Sequence, residues 1–176
     1  MNTESTYYNE IINRLETTNR KEYLRLIVQG LIKTGLTGLS LFLLFSFAEL
    51  IGNFSAVVRT ILFFVFIISV LAMLSFQVIV PLFKYFKLFV ERNYLETAGI
   101  VGYHFPEIKD DLKNAMQLVS VTDSRLYSSM LVDAAFKSVY EKTRSVKFDS
   151  VVNFDSLKKP ALRLLSMAVF TSLLFF

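Results

Sequence analysis

An uncharged run of 24 residues, 60–83, constrains this chain more than any other feature. It lies between Arg59 and Lys84 and is rich in Phe, Ile, Val and Leu. As an α-helix it would measure about 36 Å, more than the roughly 30 Å hydrocarbon core of a bilayer. The run predicts a transmembrane helix, somewhat tilted, over residues 56–83. Pro81 falls in its last turn, where we expect a kink.

A shorter apolar run, residues 34–48, predicts another transmembrane helix over residues 24–51. Its fifteen uncharged residues cover only about 22 Å of helix. Lys33 therefore either snorkels to the interface or lies within a helix that begins near Leu24. Both alternatives cross the bilayer. The connection at residues 51–55 is so short that the two helices must form a tight antiparallel hairpin.

Two opposite charges flank this turn, and they are a candidate interfacial ion pair. Glu49 ends the first apolar run and Arg59 precedes the second, so the hairpin brings both to the same end. Two independently hydrated caps are an equally good expectation, because exposed ion pairs contribute little.

A third apolar run follows Arg163 and continues for thirteen residues to Phe176. A spanning helix needs about 20 residues. We interpret residues 161–176 as the start of a third transmembrane helix that is truncated at the C-terminus, which predicts a longer protein. A short, half-inserted tail is the alternative.

The composition supports lipid as the main partner of the chain. Hydrophobic residues make up 53% of it, and the net charge is +4. The basic residues gather beside the apolar runs rather than in a patch with interleaved aromatics, so we expect no nucleic-acid partner. Cysteine is absent, which excludes disulfides and thiolate chemistry.

The basic residues also predict the orientation. Of 19 Lys and Arg residues, only Arg59 belongs to the hairpin side. Because basic residues accumulate on the cytoplasmic side, we expect a multi-pass protein of the cytoplasmic membrane with its N-terminus in the cytoplasm. No cleavable signal peptide is apparent.

Residues 1–23 form a predicted cytoplasmic amphipathic segment. An apolar stripe at helical spacing comprises Tyr8, Ile11, Ile12 and Leu15. This stripe needs either the bilayer surface or the helices of the middle segment as its partner. We favour protein, because Glu4, Glu10 and Glu16 would oppose anionic lipid.

Residues 84–160 predict a cytoplasmic helical module. We expect the second span to continue into it and to end near Gly99 and Gly102. A new helix should begin at Phe105 and Pro106. Its apolar face would hold Ile108, Leu112, Ala115, Met116 and Val119. A further start signal at residues 122–125 predicts a second helix, with a stripe of Tyr127, Met130, Leu131 and Ala134. The stretch 146–156 is expected to be an extended connector.

Small residues line one face of the first span, because Gly30, Thr34 and Gly38 repeat every four positions. Such a face permits close helix approach. It predicts either self-association or binding of a membrane-protein partner, or packing against the other spans of the same chain, which we favour.

The chain offers little for catalysis. His104 is the only histidine, and carboxylates are its only strong partners as metal ligands. Asp110 and Asp111 point about 100° apart on a helix, and acids in a first turn stabilise it. We therefore expect no enzyme activity, no metal and no cofactor.

One segment resembles a known family. Residues 101–118, VGYHFPEIKDDLKNAMQL, combine a glycine, Phe-Pro-Glu, an acid, a leucine and Asn-Ala-x-Gln-Leu. This pattern is similar to bacterial domain-of-unknown-function family 4175, where it occurs between the second and third membrane helices. The resemblance implies a large membrane protein that continues far beyond the third span, and it implies no catalytic residue.

The sequence thus predicts an all-α integral membrane protein: a hairpin of two transmembrane helices, a cytoplasmic helical segment and a third helix. The leading functional hypothesis is a membrane anchor and scaffold region of a longer envelope protein. The alternative is a complete small subunit of a transporter or a membrane enzyme complex.

Overall fold

The computed structural model describes residues 6–86, 94–120 and 129–175. Within these ranges the chain is helical and contains no strand. It divides into two compact units. The core unit comprises Met1–Glu22 and Glu91–Asn153, and the hairpin unit comprises Tyr23–Val90 and Phe154–Phe176.

Seven α-helices occur in the described ranges. They are α1 (Thr6–Gly52), α2 (Ala56–Leu74), α3 (Val80–Tyr85), α4 (Tyr94–His104), α5 (Lys109–Ser120), α6 (Ser129–Thr143) and α7 (Asp155–Phe175). A π-helical segment, Ser75–Ile79, joins α2 to α3. Short 3₁₀ turns lie at Pro106–Ile108 and Phe148–Val151.

Two helices are long and apolar enough to cross a membrane, Thr6–Gly52 and the continuous helix Ala56–Tyr85. They contain the predicted spans 24–51 and 56–83. The hairpin turn between them begins at Asn53, which has a positive φ of 42° and donates its N–H to the Glu49 carbonyl at 3.0 Å. Asparagine tolerates this left-handed conformation, so it ends α1 as glycine often does.

The first helix is longer than the predicted span because no breaker separates the amphipathic segment from the apolar run. The first glycine after Thr6 is Gly30, and no proline precedes Pro81. One helix therefore supplies residues up to Glu22 to the core unit and residues from Tyr23 to the hairpin unit.

The core of the core unit contains the N-terminal stripe. Ile11 and Leu15 are fully buried, and Tyr8 and Ile12 pack beside them. Their partners from the later helices are Ala98, Val101, Ile108, Leu112, Ala115, Met116, Phe136, Val139 and Phe148. The stripe thus packs against protein, as favoured from the sequence. The predicted face of α5 is also buried at Ile108, Leu112, Ala115 and Met116, and the side chain of Val119 lies outside the described residues.

The prediction that Gly99 and Gly102 end a helix was wrong. Both lie inside α4, which continues to His104, and neither has a positive φ. Gly102 is instead a close contact, because a Cβ there would lie 3.0 Å from the Lys109 Cα at the start of α5. The bend after His104 brings the two helices together at this point.

The prediction of which α6 residues face the core was also wrong. Met130 is 81% exposed and Leu131 48% exposed, and Ala134 is exposed as well. The buried face is formed by Phe136, Val139 and Thr143. Tyr127 and the start signal at 122–125 lie outside the described residues. The expected connector contains a 3₁₀ turn that buries Phe148, and α7 begins at its end.

We predict that Phe136→Ala destabilises the core unit by about 3–5 kcal/mol, because it opens a cavity in a packed core. Phe136 is fully buried, and its ring lies 5.0 Å from the ring of Tyr8. Chemical unfolding of the purified chain in detergent, followed by circular dichroism, measures the change. The control Met130→Ala lies on the exposed face of the same helix and should change stability by less than about 0.5 kcal/mol. Equal losses for both variants would contradict the observed helix face.

Candidate functional site

At Gly30 the two long helices approach each other closely. A Cβ at this position would lie 2.1 Å from the carbonyl oxygen of Gln77. Gln77 belongs to the π-helical segment, and Pro81 follows it by four residues. Proline has no N–H, so it cannot donate the bond that an α-helix would direct to the Gln77 carbonyl. The helix widens here, and only glycine leaves room for this carbonyl.

The rest of the small-residue face also bears on helices of the same chain. Thr34 is buried, and a Cβ on Gly38 would meet Val70 Cγ2 at an ordinary 3.8 Å. The neighbouring Gly35 faces α7, where a Cβ would lie 3.0 Å from Leu164 Cδ1. Intrachain packing therefore occupies this face, and self-association through it stays a prediction.

The structure brings Glu49 and Arg59 together. The Arg59 Nε lies 2.8 Å from the Glu49 Oε1, which links the end of α1 to the start of α2. Four phenylalanines, Phe42, Phe45, Phe63 and Phe66, help to line a groove of about 160 Å³ beside the pair. Apolar side chains also lie on the turn side of the pair, where Leu50 and Val57 are exposed. In such surroundings pairing lowers the cost of carrying two charges.

The core unit contains long-range polar contacts that sequence reasoning missed. Arg14 Nη1 donates to the carbonyl oxygen of Thr143 at 3.0 Å and so holds the C-terminus of α6, while its Nε pairs with Glu10. Asn19 Nδ2 donates to Thr97 Oγ1 at 2.8 Å, and both side chains are buried. Only the Glu10–Arg14 spacing of four residues was visible as a signal in the sequence.

Lys21 forms an ion pair with Asp149 at the 3₁₀ turn. The hydrogen bond from Lys21 holds the pKa of the Asp149 carboxyl below its ordinary value. A groove of about 280 Å³ includes Asp149 and three basic side chains in its lining. Its lining residues are Arg14, Thr17, Arg144, Val146, Lys147, Phe148 and Asp149.

His104, Asp110 and Asp111 were the residues considered for catalysis or metal binding. His104 is exposed in the last turn of α4, with its Nδ1 3.1 Å from the Ile100 carbonyl oxygen. Asp111 pairs with Lys142 at 2.5 Å and links α5 to α6, whereas Asp110 is exposed. Within the described residues, no three His, Asp or Glu side chains are grouped so that they could hold a metal ion.

Comparisons with protein-family models, curated proteins and solved structures found no match to this chain. The resemblance of residues 101–118 to family 4175 therefore stays a prediction.

We predict that Gly30→Ala destabilises the hairpin by about 1–3 kcal/mol, the usual cost of overpacking. The added Cβ would clash with a backbone carbonyl, which cannot rotate away as a flexible side chain can. Thermal unfolding in detergent micelles measures the loss. Gly38→Ala is the matched control, since it adds the same methyl group at an ordinary contact distance. The interpretation fails if both variants are equally stable.

Asp149→Asn should lower the stability of the core unit by about 0.2–1 kcal/mol near neutral pH, the usual range for exposed pairs. A lowered pKa means that the folded state favours the carboxylate, so its contribution is complete above the unfolded pKa of about 3.9. It is lost as the pH falls through the folded pKa. Denaturant titrations from pH 7 to pH 3 should therefore show the difference between wild type and variant shrinking in acid. A constant difference would contradict the ion-pair explanation.

Proposed function

We propose that this chain is a non-enzymatic anchor and scaffold of the cytoplasmic membrane. The core unit is a cytoplasmic helical module, and the hairpin unit fixes it to the bilayer. The observation that carries the proposal is the contrast between the two units. The core unit has a buried apolar core. In contrast, the apolar stretch of each long helix is not buried and exposes its side chains, as lipid-facing helices do.

The arrangement of the chain supports a permanent anchor. The core unit combines residues that precede the hairpin with residues that follow it. These two parts of the core unit must therefore lie on the same side of the membrane. The chain returns to that side only if it crosses the membrane an even number of times between them, as a hairpin of two spans does. The positions of Lys and Arg favour the cytoplasm for that side, because the segment between the two long apolar stretches carries only Arg59 as a basic residue.

We further propose that α7 begins a third span. Its contacts with α1 advance in the same direction along both helices, from Gly35 with Leu164 to Phe42 with Phe175. A helix that runs parallel to the first span enters from the same side of the bilayer. Its apolar side chains are also exposed, at Leu162, Leu165, Val169, Phe170, Leu173, Leu174 and Phe175.

Membership of family 4175 belongs to the same proposal. The Phe-Pro-Glu segment that carries the resemblance overlaps the 3₁₀ turn Pro106–Ile108 between α4 and α5, and Ile108 in this turn is buried. A motif in this position shapes the connection between two helices of the core unit. Such a role agrees with a scaffold.

Single-cysteine labelling tests the topology, and the natural absence of cysteine removes any background. We expect Ser55→Cys, in the exposed hairpin turn, to react with a membrane-impermeant maleimide added to intact cells. Ser138→Cys, on the exposed face of α6, should react only after the cells are permeabilised. Carbonate extraction should leave both variants in the membrane. Labelling of Ser138→Cys in intact cells, or release by carbonate, would overturn the proposal.

A further inference from the structure

A groove in the hairpin unit, between α1 and the helix Ala56–Tyr85, combines polar and apolar walls. Its volume is about 220 Å³. It is lined by Leu26, Gln29, Gly30, Lys33, Phe76, Gln77 and Pro81. The close approach at Gly30 and the widened π-helical segment bring these residues to one place.

The groove lies at the level expected for the inner edge of the hydrocarbon core. About twenty helical residues cover the roughly 30 Å of that core. Counted back along α1 from Glu49, this length reaches Gln29, and counted back from Asn53 at the turn it reaches Lys33. Whether Glu49 or Asn53 marks the outer edge of the hydrocarbon core, the polar residues of the groove lie at its inner edge, close to the lipid phosphates.

The lining supplies several hydrogen-bond donors, of which one, the Lys33 ammonium group, is positively charged. Lys33 is exposed, and Gln29 lies one helical turn before it on the same face of α1. Gln77 adds a second amide from the opposite helix. Lys33 is the only charged side chain in the described lining, so nothing acidic there competes for its ammonium group. A phosphate group matches this set of donors.

The apolar part of the groove favours a lipid over a free anion. Leu26, Pro81 and the Phe76 ring, which is 76% exposed, offer a surface for the glycerol and the upper acyl chains. Basic pockets between transmembrane helices on the cytoplasmic side are typical headgroup sites. We infer that this groove binds the phosphate of an anionic phospholipid of the inner leaflet, with Lys33 as its cationic contact. The inference rests on the proposed membrane topology.

Native mass spectrometry of the full chain in detergent tests the inference by counting the bound lipids. With phosphatidylglycerol as the probe, we expect a bound lipid that phosphatidylcholine does not replace at equal concentration. Lys33→Gln should weaken this binding about fivefold, the effect of one lost lysine. Lys33→Arg should restore most of it. Gln77→Leu should weaken it as well, because it removes a donor without changing the charge.

Lys84→Gln is the matched control, since it removes a juxtamembrane lysine that does not line the groove. Equal weakening by Lys33→Gln and Lys84→Gln would show diffuse attraction to anionic lipid and overturn the inference. Unchanged binding in Lys33→Gln would overturn it too. Inorganic phosphate is a further arm, and competition at millimolar concentration would assign the site to a free anion instead. Retention of the chain after carbonate extraction separates failure of this inference from failure of the proposed function.

Discussion

The hairpin unit depends on one contact between two backbones, the approach of the Gln77 carbonyl to Gly30. This contact fixes the register of the two long helices. From it, contacts that advance along α1 step back by a nearly equal number of residues along the helix Ala56–Tyr85: Gly38 faces Val70, Phe42 faces Phe66, and Glu49 reaches Arg59. Small residues allow this approach where lipid offers no hydrophobic drive for helix association. A side chain at position 30 would clash with the Gln77 carbonyl and push the two helices apart at this point.

Pro81 and the π-helical segment lie at the contact between the Gln77 carbonyl and Gly30. A proline within a long helix removes one donor and crowds the carbonyl four residues earlier. Here the helix widens over Ser75–Ile79, and the disturbed stretch lies against glycine. The irregularity therefore lies where another helix covers the backbone. Helices in membranes tolerate proline under this condition.

The sequence was sufficient for the elements whose signals are local. The long uncharged run predicted the helix Ala56–Tyr85, the short connection predicted the hairpin, and the spacing of apolar residues predicted the buried face of α5. On α6 the signal was ambiguous, because apolar residues occupy both faces and only the partners of Phe136 decide which face is buried. Gly102 gave a stop signal, yet the structure uses it for contact with α5.

The candidate sites show the same division between local and long-range information. The regular spacing of small residues identified Gly30, Thr34 and Gly38. The predicted hairpin implied that Glu49 and Arg59 are close. The groove beside Lys33 could not be predicted, because it depends on the close approach at Gly30 and on the widened helix at Ser75–Ile79, which bring together residues far apart in sequence. The bond from Arg14 to the end of α6 likewise joins residues 129 positions apart.

The Glu49–Arg59 pair has a consequence for insertion. Between Lys33 and Lys84 these are the only two charged residues, and they cancel. Moving one elementary charge across a membrane potential of 100 mV changes the free energy by about 2.3 kcal/mol. A hairpin that inserts with this pair already formed moves no net charge across the bilayer. In the proposed topology, this pair would therefore contribute no net electrical work to the insertion of the hairpin.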